Sequence, residues 1–445
     1  MSDKKAIIAK QIVAGDENNS IYKNSVVEID GNKISSIKKK DEFDKSSFDG
    51  IVYNFPNLTL VPGFVQTHIH LCQTLFRGLA DDLPLLDWLK LKIFPMENAL
   101  DKDSMRASVQ LGISELLLSG TTTILDMGSL RHHDVVFEEL IKSGMRAFSG
   151  KCLIDVNDLY PDFKSNTNYE LNEINELAHS FHCLNNGKIK YSFSPRFALS
   201  CTEKLLRDSK EMMKDFPGSI YHTHASENKD EINEVRTRFG KENIDYLDYL
   251  NLLGDETVLA HCIHLNDLEK NKIKDTQTKV AHCPSSNLKL GSGIARIPEY
   301  LEYGISVSLG ADGAPCNNNL SIFTEMRLAA LIQKPVFGPG AMDAKTVFRL
   351  ATIEGAKALH MQDEIGSIEA GKKADIVLLD LENIYHPVAD ENIYSTIVYS
   401  SSSADVKNVM VDGEWIVENG TCIICEKDEI IVRSKNELQK LLKRI

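Results

Sequence analysis

Along the middle of the chain, short apolar runs alternate with longer stretches of helical periodicity. The runs are residues 60–67, 121–127, 146–154, 189–196, 219–224, 257–262, 279–284 and 305–311. Runs of this length, several of them rich in β-branched residues (Thr121-Thr122-Thr123-Ile124-Leu125), read as buried strands. Residues 103–119, 169–185, 202–215, 317–333 and 343–360 carry apolar residues at helical spacing. Strands separated by helices in this way predict a parallel sheet closed on itself, a distorted (β/α)8 TIM barrel, over residues 62–364.

The two ends of the chain have a different texture. Lys5–Ala9 and Ser25–Ile29 read as strands, the second running into an Asp30-Gly31-Asn32 turn. Near the C-terminus Ala374–Leu379 and Val406–Val411 repeat the pattern, followed by a second turn at Asp412-Gly413 and by Glu414–Val417. Neither end supplies an independent core. Together residues 1–61 and 365–445 predict one small composite β-sandwich domain, with a helix from Ser434 onward.

In a (β/α)8 barrel the functional groups gather at the C-terminal strand ends. The first predicted strand ends in His68-Ile69-His70, and residues two apart in a strand face the same side. The fourth ends at Arg196, and the fifth carries His222, His224 and then Glu227. The sixth gives His261, the seventh His282 and the eighth Asp312. Several imidazoles with a Glu and an Asp on one rim fit an open metal site better than packing. Two histidines of the first strand, one of the fifth and Asp312 make a ligand set that leaves room for water. Glu227, three residues past His224, is placed to move that water's proton. His261 is placed to polarise the attacked centre or to hold the hydroxide, and Asp312 to accept a proton as well as bind metal. The side that His222 faces is ambiguous, and His224 is preferred as the ligand. His282 reads as structural. A second metal would need a bridging ligand at the fourth strand end, and a guanidinium has no lone pair to offer, so one metal ion is expected.

Charge narrows the partners. Lys and Arg total 50 and Asp and Glu 64, a net charge of −14. That disfavours nucleic acid and anionic membrane surfaces. The first residues lack the apolar core of a signal peptide, and scattered cysteines suggest reduced thiols; a cytoplasmic protein is expected. Cys422 and Cys425 form an isolated pair, with a structural zinc not expected there.

Taken as a set, the segments Val61–His70, His224–Glu227, Ala260-His261 and Leu309–Gly313 resemble the amidohydrolase superfamily, within it the single-metal aminohydrolases that deaminate purines and related heterocycles. Asp82–Leu89, Arg146–Lys151, Asp155–Pro161, Pro195–Cys201 and Ser226–Glu231 look like guanine deaminase. Residues 314–319, Phe323–Ala329 and Ser285–Gly291 are more similar to methylthioadenosine/S-adenosylhomocysteine deaminases and triazine hydrolases. The resemblance implies one Zn²⁺, with Fe²⁺ or Mn²⁺ as alternatives, held by His68, His70, His224 and Asp312. It implies Glu227, His261 and Asp312 as the catalytic groups, and Gln73 and Arg196 holding the purine with Phe197 against the ring. Glu97 matches a ribose-binding Glu of the nucleoside enzymes. The expected substrate is guanine or a close 2-aminopurine or pterin analogue. Alternatives are a methylthioadenosine, S-adenosylhomocysteine or adenosine substrate, and a triazine or cyclic amide. A homodimer is implied by the family alone. Lys151 and Asn157 read as loop-stabilising.

Overall fold

The computed structural model describes residues 3–382, 387, 389–424 and 426–445. Eight parallel strands run through the middle of the chain: β1 Phe64–His70, β2 Thr121–Asp126, β3 Arg146–Ser149, β4 Ile189–Pro195, β5 Ile220–Ala225, β6 Thr257–His261, β7 Lys279–His282 and β8 Val307–Leu309. They pair in chain order. Closure comes just beyond β8, where Asp312–Gly313 pairs in parallel with the end of β1, Asp312 opposite Ile69 and Gly313 opposite His70. The architecture is the (β/α)8 barrel, and its closing seam sets Asp312 beside the two histidines of β1.

The apolar runs and the strands do not coincide everywhere. The run 60–67 divides at Gly63: Ile51–Pro62 belongs to the terminal sheet, and β1 starts at Phe64. A Cβ on Gly63 would lie 2.2 Å from Thr122 Oγ1, so only glycine lets the chain pass from one sheet to the other here. The run 146–154 breaks after Ser149, and Cys152–Leu153 pairs separately with the end of β4. The run 305–311 breaks at Gly310, where a Cβ would meet the His68 carbonyl at 2.6 Å. That close approach brings the end of β8 against β1. The helical pattern 343–360 is two helices, Ala344–Leu350 and Ile353–Ala358.

The pattern did not predict a helical stretch from Leu85 to Asn98, which contains a π-helical segment at Leu89–Ile93. Pro95 lies inside it, and proline removes one helical hydrogen bond. The π segment lies immediately before the turn that contains Pro95.

The termini form one eight-stranded sheet. Its order is Thr421–Cys422, Glu414–Glu418, Val406–Val411, Ile376–Leu379, Ile51–Pro62, Lys4–Val13, Ile21–Asp30 and Lys33–Lys39. The C-terminal and N-terminal halves meet where Leu378 pairs with Leu60. The sheet folds over its own apolar core. Trp415 and Tyr53 lie on strands three steps apart, about 14 Å in a flat sheet, yet their rings are 5.4 Å apart. The two Asp-Gly turns meet, with Asn32 Nδ2 donating to Asp412 Oδ1 at 3.0 Å. The C-terminal helix, Lys427–Leu441, begins before Ser434 and packs on the barrel helix Lys102–Leu118. Cys425 lies outside the described residues. Among the described residues, no helix is long and apolar enough to cross a membrane.

Candidate active site

The C-terminal rim of the barrel gathers the side chains that the strand ends carry. His68 and His70 face one side of β1, their rings 5.0 Å apart and nearly perpendicular. Across the barrel mouth, His70 Nε2 and His224 Nε2 are 3.2 Å apart. Asp312 Oδ1 lies 3.3 Å from His68 Nε2 and 3.4 Å from His70 Nε2. His261 Nε2 stands 3.5 Å from Glu227 Oε2 and 3.8 Å from Asp312 Oδ2. Ser226, His261 and Asp312 all have left-handed backbone, with φ of 52°, 72° and 62°. Non-glycine residues held in such regions cost about 1–3 kcal/mol each. Here the bends fall at the ends of β5, β6 and β8, where they turn Glu227, His261 and Asp312 toward the mouth.

Burial sets the charges. It drives His70, His222 and His224 well below the ordinary imidazole value and lowers His68 too, so each ring gives up its proton readily and can offer a lone pair. Burial alone would raise the Asp312 carboxyl, but His68 and His70 beside it hold it well below its usual range. Burial pushes Glu227 up to about 7, against the opposing influence of His261. A carboxyl of that strength near neutral pH suits a group that both takes and returns a proton.

The rings are oriented by partners behind them. His224 Nδ1 donates to the Arg196 carbonyl at 2.6 Å, which leaves Nε2 as an acceptor facing His70 Nε2. His261 Nδ1 is 2.9 Å from Asn287 Oδ1. His68 Nε2 and His261 Nε2 are buried with no hydrogen-bond partner among the described residues. A buried polar atom left unpaired costs about 1–3 kcal/mol. His68 and His224 share a group of closely set ligand atoms with His261, and His68 shares another with His70 and Asp312. A nitrogen-rich donor set around one carboxylate, with orphaned lone pairs, fits a single divalent ion.

Beside this cluster a cavity is walled by Arg196 and Phe197 and roofed by Leu85, Trp88, Leu89 and Leu290. Arg196 Nη1 is 3.2 Å from each oxygen of Glu97. Gln73 Nε2 donates to Glu97 Oε1 at 2.7 Å and lies 3.4 Å from His70 Nδ1. Burial works against the Arg196 charge, but Glu97 more than offsets it and its pKa is raised. The structure thus brings together His68, His70, His224, Glu227, His261 and Asp312, and places Arg196 and Phe197 on the cavity wall. Gln73 and Glu97 stand behind Arg196 and do not line the cavity.

His282 is buried at the end of β7 away from the wall, both ring nitrogens without a hydrogen-bond partner, and burial lowers it to about 3. Lys151 is ion-paired with Glu170 at 2.9 Å, and Asn157 accepts from the Tyr160 amide at 2.8 Å. Sequence reasoning missed the roof, Asn287 and Glu231. The available signals were the i, i+3, i+4 spacing of Leu85, Trp88 and Leu89, and the capping-box spacing of Asn228 and Glu231 at the start of the helix Lys229–Phe239. Glu231 accepts from the Glu227 amide at 2.8 Å and fixes the turn that carries it.

A barrel of this kind, with clustered His and Asp side chains that fit a metal ion and a buried Glu at its mouth, has the architecture of a metal-dependent hydrolase. The chain belongs to the amidohydrolase family, whose model matches residues 59–416. It is 38% identical to the 5'-deoxyadenosine deaminase of Methanothermobacter thermautotrophicus, over 84% of this chain and 85% of that protein. Among solved structures it resembles an adenosine deaminase from Xanthomonas campestris with bound zinc. There the TM-score is 0.91 and the identity 26%, over 99% of this chain and 98% of that one. It also resembles E. coli guanine deaminase, with a TM-score of 0.83 and 26% identity over 93% and 99% of the two chains. The chain is an amidohydrolase-type deaminase, a hydrolase acting on C–N bonds.

Proposed function

We propose that the protein hydrolyses guanine, or a close 2-aminopurine or pterin analogue, to the oxo compound and ammonia. The observation that carries this reading is Arg196 on the cavity wall, buried and charged, next to Glu227 and the histidine cluster. A guanidinium only donates hydrogen bonds. It therefore selects a ring with acceptors at that edge, such as the 6-oxo group and N7 of guanine. Phe197 gives an apolar surface for the ring, and the roof over it excludes water. Glu97, tied to Gln73, holds Arg196 in place as its counter-charge.

His68, His70, His224 and Asp312 are the residues that would hold one divalent ion, zinc by the softness of the donors. Such an ion supplies Lewis acidity that lowers the pKa of a water molecule toward neutrality. Glu227 takes that water's proton and passes it to the ring nitrogen beside the amino-bearing carbon. The water oxygen bonds to that carbon; Glu227 then takes the remaining hydroxyl proton and delivers it to the amino group, so that the carbon becomes a carbonyl, the C–N bond breaks and ammonia leaves. His261, close to both Glu227 and Asp312, holds the hydrolytic oxygen in line by hydrogen bonding.

A second reading, deamination of an adenosine derivative, is favoured by the similarity to 5'-deoxyadenosine deaminases. Ammonia release from guanine, pterin, adenosine and 5'-deoxyadenosine separates the two. Wild type is expected to prefer guanine or pterin by at least roughly tenfold to a hundredfold in kcat/KM, because a buried unpaired donor costs about 1–3 kcal/mol and 1.4 kcal/mol is about tenfold. Arg196→Met should erase that preference. Wild-type preference for the nucleosides establishes the second reading instead.

A further inference from the structure

The fifth strand carries two histidines, and the site described so far uses only His224. We infer that His222 is a positioning residue that fixes the tautomer of His68 and so makes His68 a competent metal ligand. The reading rests on the metal ligand set proposed above and adds a role for a residue outside it.

The argument is a chain of donors and acceptors. His222 Nδ1 lies 2.9 Å from the Val258 carbonyl oxygen. A carbonyl oxygen can only accept, so His222 carries its proton on Nδ1. A neutral imidazole with its proton on Nδ1 has Nε2 as an acceptor, and His222 is fully buried. That Nε2 lies 2.8 Å from His68 Nδ1. His68 must then donate from Nδ1, and its own Nε2 is the bare lone pair. This is the nitrogen that lacks a hydrogen-bond partner and faces Asp312 at 3.3 Å. A backbone carbonyl on β6 therefore determines, through one imidazole, which nitrogen of His68 is free. Both nitrogens of His222 are occupied in this relay, which accounts for two histidines on β5 of which one faces the cavity.

Partners behind a metal-bound histidine typically matter by about 10–100-fold in metal affinity. Two variants separate the relay from mere packing. In His222→Gln the side-chain oxygen accepts from His68 while the amide donates to Val258; in His222→Met neither bond of normal strength forms. Zinc affinity by chelator competition should fall about 10–100-fold in His222→Met and stay within a few-fold of wild type in His222→Gln. Neither measurement involves a substrate, so the outcome is independent of whether guanine or a nucleoside is turned over. Histidine-selective ¹⁵N NMR of the metal-free wild-type protein supplies a readout that needs no variant to fold. With the His68 signals assigned by His68→Gln, His68 should appear as the Nδ1–H tautomer. An Nε2–H His68, full affinity in His222→Met, or a loss in His222→Gln as deep as in His70→Ala would each overturn the relay, the last by making His222 itself a ligand.

Discussion

Two arginines, Arg146 and Arg196, are buried at strands β3 and β4, each facing a carboxylate, and they serve opposite ends. Arg146, on β3, is 1% exposed. Its Nε and Nη2 donate to the two oxygens of Asp375 at 3.1 and 3.2 Å, and Asp412 lies 3.5 Å away. Asp375 also accepts from the Asp412 amide at 2.7 Å, and Lys373 and Asn32 reach Asp412 at 3.1 and 3.0 Å. The network ties the barrel to the terminal sheet, with both oxygens of Asp375 and the carboxylate of Asp412 engaged by donors of the chain itself. Arg196, after β4, presents a single nitrogen to Glu97 and lines a cavity. His261, whose Nε2 has no hydrogen-bond partner among the described residues, lines the same cavity. Both networks are charged and desolvated; one is saturated by the chain itself and the other keeps capacity for a ligand. Saturation is what distinguishes a structural ion pair from a binding site here, since burial and charge are alike in both.

The sharpest way to break the comparison is at Glu227. Glu227→Gln keeps the shape of the open network but removes its proton carrier. Turnover should fall about 10²–10⁴-fold with metal content unchanged; steady-state rates and elemental analysis check this, and a loss below tenfold moves the role to His261 or Asp312. In the saturated network the expected damage is to stability. Arg146→Met leaves the buried Asp375 carboxylate without its charged partner, and chemical denaturation should show a loss of about 3–5 kcal/mol. The ratio of kcat/KM between guanine and adenosine should stay unchanged in the folded fraction.

A smaller effect tests a carboxylate of intermediate kind. Glu325 is fully buried behind the β8 end and accepts from Ser285 Oγ at 2.5 Å and Asn317 Nδ2 at 2.8 Å, neutral donors. Burial pushes it up to about 7, with those bonds opposing. Its unfolded counterpart titrates near 4.5, so between those values the folded protein binds more protons and stability falls as pH rises. Glu325→Gln should remove this slope, gaining up to roughly 3 kcal/mol relative to wild type on going from pH 4.5 to pH 8. Parallel denaturation curves at the two pH values measure it; identical slopes in the two proteins would show that Glu325 stays ionised.

The sequence alone determined the barrel and the rim chemistry, because both are written in local order. Strand and helix periodicities are properties of neighbouring residues, and a rule of the fold puts every strand end on one face. His68, His70, His224, Glu227, His261 and Asp312 could therefore be assembled before any coordinate was known. The same locality explains what was misplaced. The run 60–67 is continuous in apolar character, but its division at Gly63 depends on Thr122, brought alongside by β2. Gln73 has the chemistry to hold a purine, and only the fold shows that Glu97 takes its Nε2 while Oε1 has no partner among the described residues. The tertiary structure alone decided the direction of each ring: His222 faces His68 because β6 supplies the Val258 carbonyl, and Trp88 roofs the cavity because a helix crosses the barrel mouth. Hydrogen-bond saturation depends on partners distant in the chain, and so the difference between Arg146 and Arg196 is invisible until the strands are placed side by side.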